Sequence, residues 1–236
     1  MYKGIYIAAS GAVSKMKELE LVSNNIANSN TYGYKLDRMG FRDFLLTELN
    51  EMQQYNDGRD MTYHSGIYTD RTMGGLIHTG NQLDVAINGT GYFVLDGNKY
   101  TRNGNFKVNS EGFLVNDDGR LVQGTNGPIE IPNGDVNVSS NGNISVNGVF
   151  MDRLQIVDFA DPKTVYKQGD STFASQEEAF QSNSTVEQGH LETSNVNIVR
   201  EMVNMIELYR EYESHQKIMQ AFDEATSKVT NDMARL

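Results

Sequence analysis

The stretch IVREMVNMIELYREYESHQKIMQAFDEATSKVTNDM, residues 198–233, decides the fold. Ile198, Met202, Met205, Tyr209, Tyr212, Gln216, Met219, Phe222, Thr226, Val229 and Met233 recur at steps of three and four. That spacing lays a narrow stripe along one helix face, as in a coiled-coil seam. No proline interrupts it, and Ser194, Asn195 and Asn197 just upstream are competent N-caps. A helix is expected from there toward Arg235, about 60 Å long. A β domain of ordinary size cannot cover so long a helix, so it needs a partner along its length.

The other end of the chain is built alike. Ile5, Ala9, Ala12, Met16, Leu19, Ser23 and Ile26 alternate steps of four and three. A helix is expected from Tyr2 to about Asn28, where Asn24, Asn25, Asn28, Ser29 and Asn30 compete with helical hydrogen bonds. Gly33 then supplies a positive φ for the turn. Buried, the four large residues Ile5, Met16, Leu19 and Ile26 are worth about 2 kcal/mol each. Unpartnered, they contribute nothing, and an isolated helix is marginal in water.

Between the helices the sequence changes character. Turn dipeptides stand at Asn88-Gly89, Asp96-Gly97, Asn103-Gly104, Glu111-Gly112, Asp118-Gly119, Asn126-Gly127, Asn133-Gly134, Asn141-Gly142 and Asn147-Gly148, six to eight residues apart. Asn-Gly and Asp-Gly are strong hairpin signals. Short apolar or alternating runs separate them: 83–87, 92–95, 105–108, 113–115, 129–131, 136–138, 144–146 and 154–159. This predicts an antiparallel meander. Residues 160–190 read as polar and loop-like, and 38–48 as a short helix through Phe41, Phe44 and Leu45. The rest of 36–80 reads as extended segments and loops.

Composition removes several function classes. Net charge is −11, which argues against a nucleic-acid partner. It divides as +2 over residues 1–46, −3 over 191–236 and −10 between them, so opposite signs on the two stripes weakly favour their pairing. Cysteine is absent, so there is no disulfide or thiol chemistry. No apolar run approaches the ~20 residues that span a bilayer, and no cleavable leader is read, so no membrane insertion is expected. His64, His78, His190 and His215 lack metal-site spacing and read as exposed or interfacial. The turn at Asp117-Asp118-Gly119 lacks the acidic ligands of a calcium loop. Glu111 and Asp117 carry no sign of an acid/base pair. No nucleophile elbow or phosphate loop occurs. No catalytic, cofactor or metal residues are expected, and the chain is read as a non-enzyme.

Three ordered blocks resemble one family. The first is Ser23-Asn24-Asn25-Ile26-Ala27-Asn28 with Thr31, Gly33-Tyr34-Lys35 and Arg38. The second runs from Thr79-Gly80-Asn81 through Leu83–Gly89 and Gly91-Tyr92-Phe93 to Tyr100–Phe106. The third is Leu191-Glu192, Ser194–Asn197, Glu201-Met202-Val203, Met205-Ile206 and Tyr212-Glu213. Together they resemble the flagellar rod, hook and hook-associated axial proteins, and residues 1–12 look most like the rod branch of proximal type. Tyr34 and Tyr92 depart from a commoner Phe.

The resemblance implies a structural subunit of the basal-body rod that travels unfolded through the flagellar type III export apparatus without a cleaved signal peptide. Its terminal helices stack with those of other copies and of other rod and hook proteins, forming a periplasm-spanning shaft that transmits torque. It also implies that Asn24, Asn25, Asn28, Thr31, Gly33, Lys35, Asn195 and Asn197 form the motif. The asparagines either bond across subunits or simply cap a helix. A distal-rod or hook-type protein is the alternative, and a phage-tail or fibre protein is another class.

The expected fold is α+β: terminal helices as a coiled-coil-like assembly module around a central antiparallel β-rich domain. The expected divisions are 1–35, 36–80, 81–160, 161–190 and 191–236. The expected interface is Ile5, Ala9, Ala12, Met16, Leu19 and Ile26 with Ile198, Met202, Met205, Tyr209, Tyr212, Met219 and Phe222.

Overall fold

A computed structural model describes residues 2–44, 61–161, 164–169 and 171–233. Two helices, α1 (Tyr2–Ala27) and α2 (Ile198–Met233), flank an antiparallel β-rich middle, so the chain is α+β. It divides into two compact units: residues 1–27, 37–68 and 197–236 form one, residues 28–36 and 69–196 the other.

In the helical unit, α1 ends one residue before Asn28, where the amide-rich run takes over. At the other helix, Asn197 Oδ1 accepts the Arg200 amide at 3.0 Å and so caps the start of α2. The helices run antiparallel: Gly4 faces Phe222 and, seven residues on, Gly11 faces His215. Lys15 bridges Glu211 at 2.9 Å and Glu18 at 3.1 Å. The covered line on α1 is Gly4, Ala8, Gly11, Lys15, Glu18, Val22 and Asn25, each buried or half-buried. On α2 it is Ile198, Glu201, Met205, Leu208, Tyr212, His215, Met219, Phe222 and Thr226. Both lines step by three and four. Small residues on α1 admit rings from α2. A Cβ on Gly4 would lie 2.6 Å from Phe222 Cζ, and one on Gly11 2.6 Å from His215 Cε1.

Residues Asp37–Phe44 form a strand paired with Met61–Thr69, not the helix expected from Arg38. Gly40 and the nearby phenylalanines are poor helix formers, and strand pairing satisfies the same backbone groups. Residues 45–48 of that expected helix, and 50–60 of the expected loops, lie outside the described residues, as does Pro162.

The β unit is centred on a six-stranded sheet. Its order is Val165–Lys167, Thr172–Ser175, Lys99–Thr101, Tyr92–Leu95, Ile156–Asp158 and Phe180–Gln181. Every neighbouring pair is antiparallel. Strand alternation puts successive side chains on opposite faces. Phe93, Leu95 and Ile156 therefore join one apolar cluster, with Val85, Ile87, Phe106, Leu114, Val122, Ile129 and Ile144. Tyr92, Val157, Tyr100 and Phe173 join a second, with Phe159 and Val165.

The expected simple meander survives only in part. Val136–Val138, Asn143–Val146 and Val149–Arg153 do follow one another, and the last two are joined through Asn147 (φ 51°) and Gly148 (φ 80°). Both turn residues sit at positive φ, as a type I′ hairpin requires. The large sheet is not a meander, because its strands come from distant parts of the chain. The stretch 160–190, expected as loop, supplies Val165–Lys167, Thr172–Ser175 and Phe180–Gln181 to it, and Thr185–Gln188 pairs with Val85–Asn88 in a separate two-stranded sheet. His190–Glu192 also returns, to pair with Leu76–His78. These strands are short and polar, and their pairing rather than their composition defines them.

Candidate functional site

No cluster of three or more His, Asp or Glu able to hold a metal gathers among the described residues. Two other features stand out: the outer faces of the helices, and a buried knot of charges.

The helical unit leaves large apolar residues in solvent. On α2, Val199, Met202, Val203, Ile206 and Tyr209 are exposed, Val199 by 70% and Ile206 by 55%. Successive residues turn ~100°, so these five share one face, about a third of a turn from the seam against α1. On α1, Tyr6, Val13 and Met16 are exposed on the side away from its own seam, and Ile7 is exposed on another side, between Tyr6 and the seam. Of the expected interface residues, Ala12 is buried. Ile5, Ala9, Leu19, Ile26, Ile198, Met205, Tyr212, Met219 and Phe222 are half-buried, while Met16, Met202 and Tyr209 face solvent. The α1–α2 seam thus runs beside the expected stripe and shares Ile198, Met205, Tyr212, Met219, Phe222 and Thr226 with it on α2.

The motif residues are pinned within each unit. Asn25, 1% exposed, donates from Nδ2 to the Asp37 carbonyl at 2.9 Å and accepts the Asp37 amide on Oδ1 at 3.1 Å. It therefore acts as a two-way clamp on the start of the following strand rather than as a helix cap. Asn24 is exposed. Asn28 Oδ1 accepts the Thr31 hydroxyl at 3.3 Å, within a turn closed by Thr31 N and the Asn28 carbonyl.

The knot lies in the β unit. Lys35, 1% exposed, places Nζ 2.5 Å from Glu192 Oε1 and donates to the Thr72 carbonyl at 2.8 Å. The same Glu192 oxygen accepts the Gly74 amide at 2.9 Å. Arg102 NH1 lies 3.4 Å from Glu192 Oε2, while its NH2 donates to the Gly89 carbonyl at 2.7 Å. Burial holds the Lys35 ammonium below its ordinary value, with the Glu192 carboxylate pulling the other way. Asn195 closes the junction: Oδ1 accepts the Leu36 amide at 2.7 Å, and Nδ2 donates to the Asp70 and Thr72 carbonyls at 2.9 and 3.1 Å. Gly33, at φ 68°, passes so close that a Cβ would sit 2.4 Å from Asn103 N, and its amide donates to the Glu192 carbonyl at 2.8 Å. Lys167 Nζ stands 3.7 Å above the Tyr34 ring.

Two cations thus share one buried carboxylate, each from a different block of the chain. Lys35 belongs to the first block, Arg102 to the second, Glu192 and Asn195 to the third. Neither Arg102 nor Glu192 is among the site residues expected from the sequence. Lys35 and Glu192 are 157 positions apart, so no spacing rule links them. On Lys15 in the helical unit, burial lowers the pKa, but bonds to Glu211 and Glu18 outweigh it and raise the ammonium above its ordinary value. Its contribution to helix pairing is therefore full below the ordinary lysine pKa and lost as pH climbs through the raised one.

Three stretches of the chain match families of known proteins. Residues 5–35 match the family described as flagella basal body rod protein, and residues 86–146 the flagellar hook protein FlgE/F/G D1 domain. Residues 187–233 match the flagellar basal body rod FlgEFG protein C-terminal family. The chain is 30% identical to the flagellar basal-body rod protein FlgG of Buchnera aphidicola subsp. Acyrthosiphon pisum, over 98% of this chain and 99% of that protein. It is 31% identical to FlgF of Caulobacter vibrioides, over 93% of each. It is also 31% identical to FlgG of Agrobacterium fabrum, over 98% of this chain and 99% of that protein. The chain belongs to the flagellar basal-body rod protein family, a structural and non-enzymatic family of the flagellum.

Proposed function

We propose that this chain is a rod subunit of proximal type that polymerises through its terminal helices into the torque-transmitting shaft. The observation that carries this reading is the exposed row Val199, Met202, Val203, Ile206 and Tyr209 on a helix whose other face already holds α1. Helix α2 also continues eleven residues past Phe222, which faces Gly4 near the start of α1. Both features leave apolar helix surface for neighbours. Contacts of this kind between unlike surfaces build an open helical filament. The neighbours are other copies and other rod and hook proteins. In this reading Ile5, Ala9, Met16, Met202 and Tyr209 contact adjacent subunits in a coiled-coil-like module.

The subunit reaches its place unfolded through the flagellar export apparatus. A chain with no cysteine forms no disulfide on passing into an oxidising compartment. A placement in the distal rod is the alternative reading. Deleting the gene and imaging purified basal bodies tests the proposal. Loss of the rod at its proximal section with loss of swimming is the expected result. A rod truncated further out moves the subunit to the distal section, and an intact rod with normal swimming overturns the reading.

A further inference from the structure

His78 and His190 lie in the β unit, and His190 starts the short strand that ends at Glu192. Strand Leu76–His78 pairs antiparallel with His190–Glu192, and the register sets His78 directly opposite His190. The two ring centroids are 4.9 Å apart, with the planes tilted by 54°. His78 is exposed and His190 half-buried, so the pair opens to solvent. His190 Nδ1 lies 2.9 Å from the Gln188 carbonyl. A nitrogen facing a carbonyl at that distance carries the proton, which leaves the free lone pair on Nε2.

We propose that His78 and His190 form a two-imidazole binding site for a borderline divalent transition ion such as Zn²⁺, Ni²⁺ or Cu²⁺. The geometry can be checked against bond lengths. A metal–nitrogen bond is about 2.0–2.1 Å. A ring centroid lies roughly 1.1 Å behind its nitrogen, so the ion would sit about 3.2 Å from each centroid. Ligand angles between about 90° and about 109° then separate the centroids by roughly 4.5–5.2 Å. The observed 4.9 Å falls inside that window.

The Gln188 carbonyl supplies the outer-shell partner that orients a ligating imidazole. Imidazole suits zinc, copper and nickel, whereas magnesium and calcium require oxygen ligands. With no third acidic or imidazole ligand among the described residues, water completes the shell and the site is weak. A bound ion would tie the strand carrying Glu192 to its neighbour.

Tag-free, full-length, ¹⁵N-labelled protein titrated with zinc chloride tests the site through the histidine ring resonances. The expected result is concerted, saturable movement of His78 and His190 with His215 unmoved, and no response to magnesium chloride. Removing even an outer-shell partner typically weakens metal binding 10–100-fold. His190→Ala is therefore expected to raise the half-saturation concentration for His78 by about tenfold or more. His78→Ala should do the same for His190, with unchanged circular dichroism showing that each variant is folded. Equal movement of all the histidines, no movement at millimolar zinc, or an unchanged His78 response in folded His190→Ala overturns the proposal.

Discussion

Ile206→Glu combined with Tyr209→Glu is expected to leave the subunit folded and to abolish rod growth. Both side chains are exposed in the single chain, and both lie off the seam that holds α1. Surface changes of this kind usually move stability by no more than about 0.5 kcal/mol. In an assembled rod the same positions would be covered. Full burial of each native side chain is worth about 1.5–3 kcal/mol. An unpaired carboxylate forced into that contact adds several kcal/mol more. A loss of about 5 kcal/mol per contact weakens association more than a thousandfold. The check is twofold: far-ultraviolet circular dichroism and urea unfolding of the purified variant, and electron microscopy of basal bodies from cells that carry it. Native-like unfolding with no rod is the expected pair of results. A normal rod would show that this face is not an interface.

Glu192→Ala is expected to damage the β unit itself. The substitution strips the carboxylate from Lys35 and the Gly74 amide, and leaves Lys35 and Arg102 buried with like charges facing each other. Breaking a buried ion pair from one side costs about 3–5 kcal/mol. Whole domains have only about 5–15 kcal/mol. Urea unfolding followed by tyrosine fluorescence reads the change, since the chain has twelve tyrosines and no tryptophan. Glu192→Gln is expected to cost less, because the amide still accepts from Lys35 and Gly74. A change under about 0.5 kcal/mol for Glu192→Ala, within the range of an ordinary surface substitution, would show that the knot does not hold the unit.

The parts of the fold that local chemistry controls were legible in the sequence. The amide run after Ala27 marks the end of α1, and Asn197 marks the start of α2. Of the nine glycine turns, seven place their glycine at positive φ. Less legible was which helical stripe meets the other helix. Large apolar residues suggested the line through Ile5 and Met16, yet α1 uses Gly4, Ala8 and Gly11, whose value is the room they leave for Phe222 and His215. The strands within 165–192 were hidden because Thr172–Ser175 and Thr185–Gln188 are short and polar and each pairs with a strand about 70 to 100 residues away, although Thr172–Ser175 also pairs locally with Val165–Lys167. The knot was invisible for the same reason, although each of its residues stood in one of the three blocks that carried the resemblance.

Cysteine reactivity measures most directly whether the apolar helix faces wait for neighbours. The native chain has no cysteine, so single substitutions at Tyr6, Val13, Val199 and Ile206 report their own sites without background. Rapid maleimide labelling in dilute subunit and strong protection at the same positions in purified basal bodies is the result this account predicts. Equal labelling in the two states, or protection already present in the dilute subunit, would contradict it.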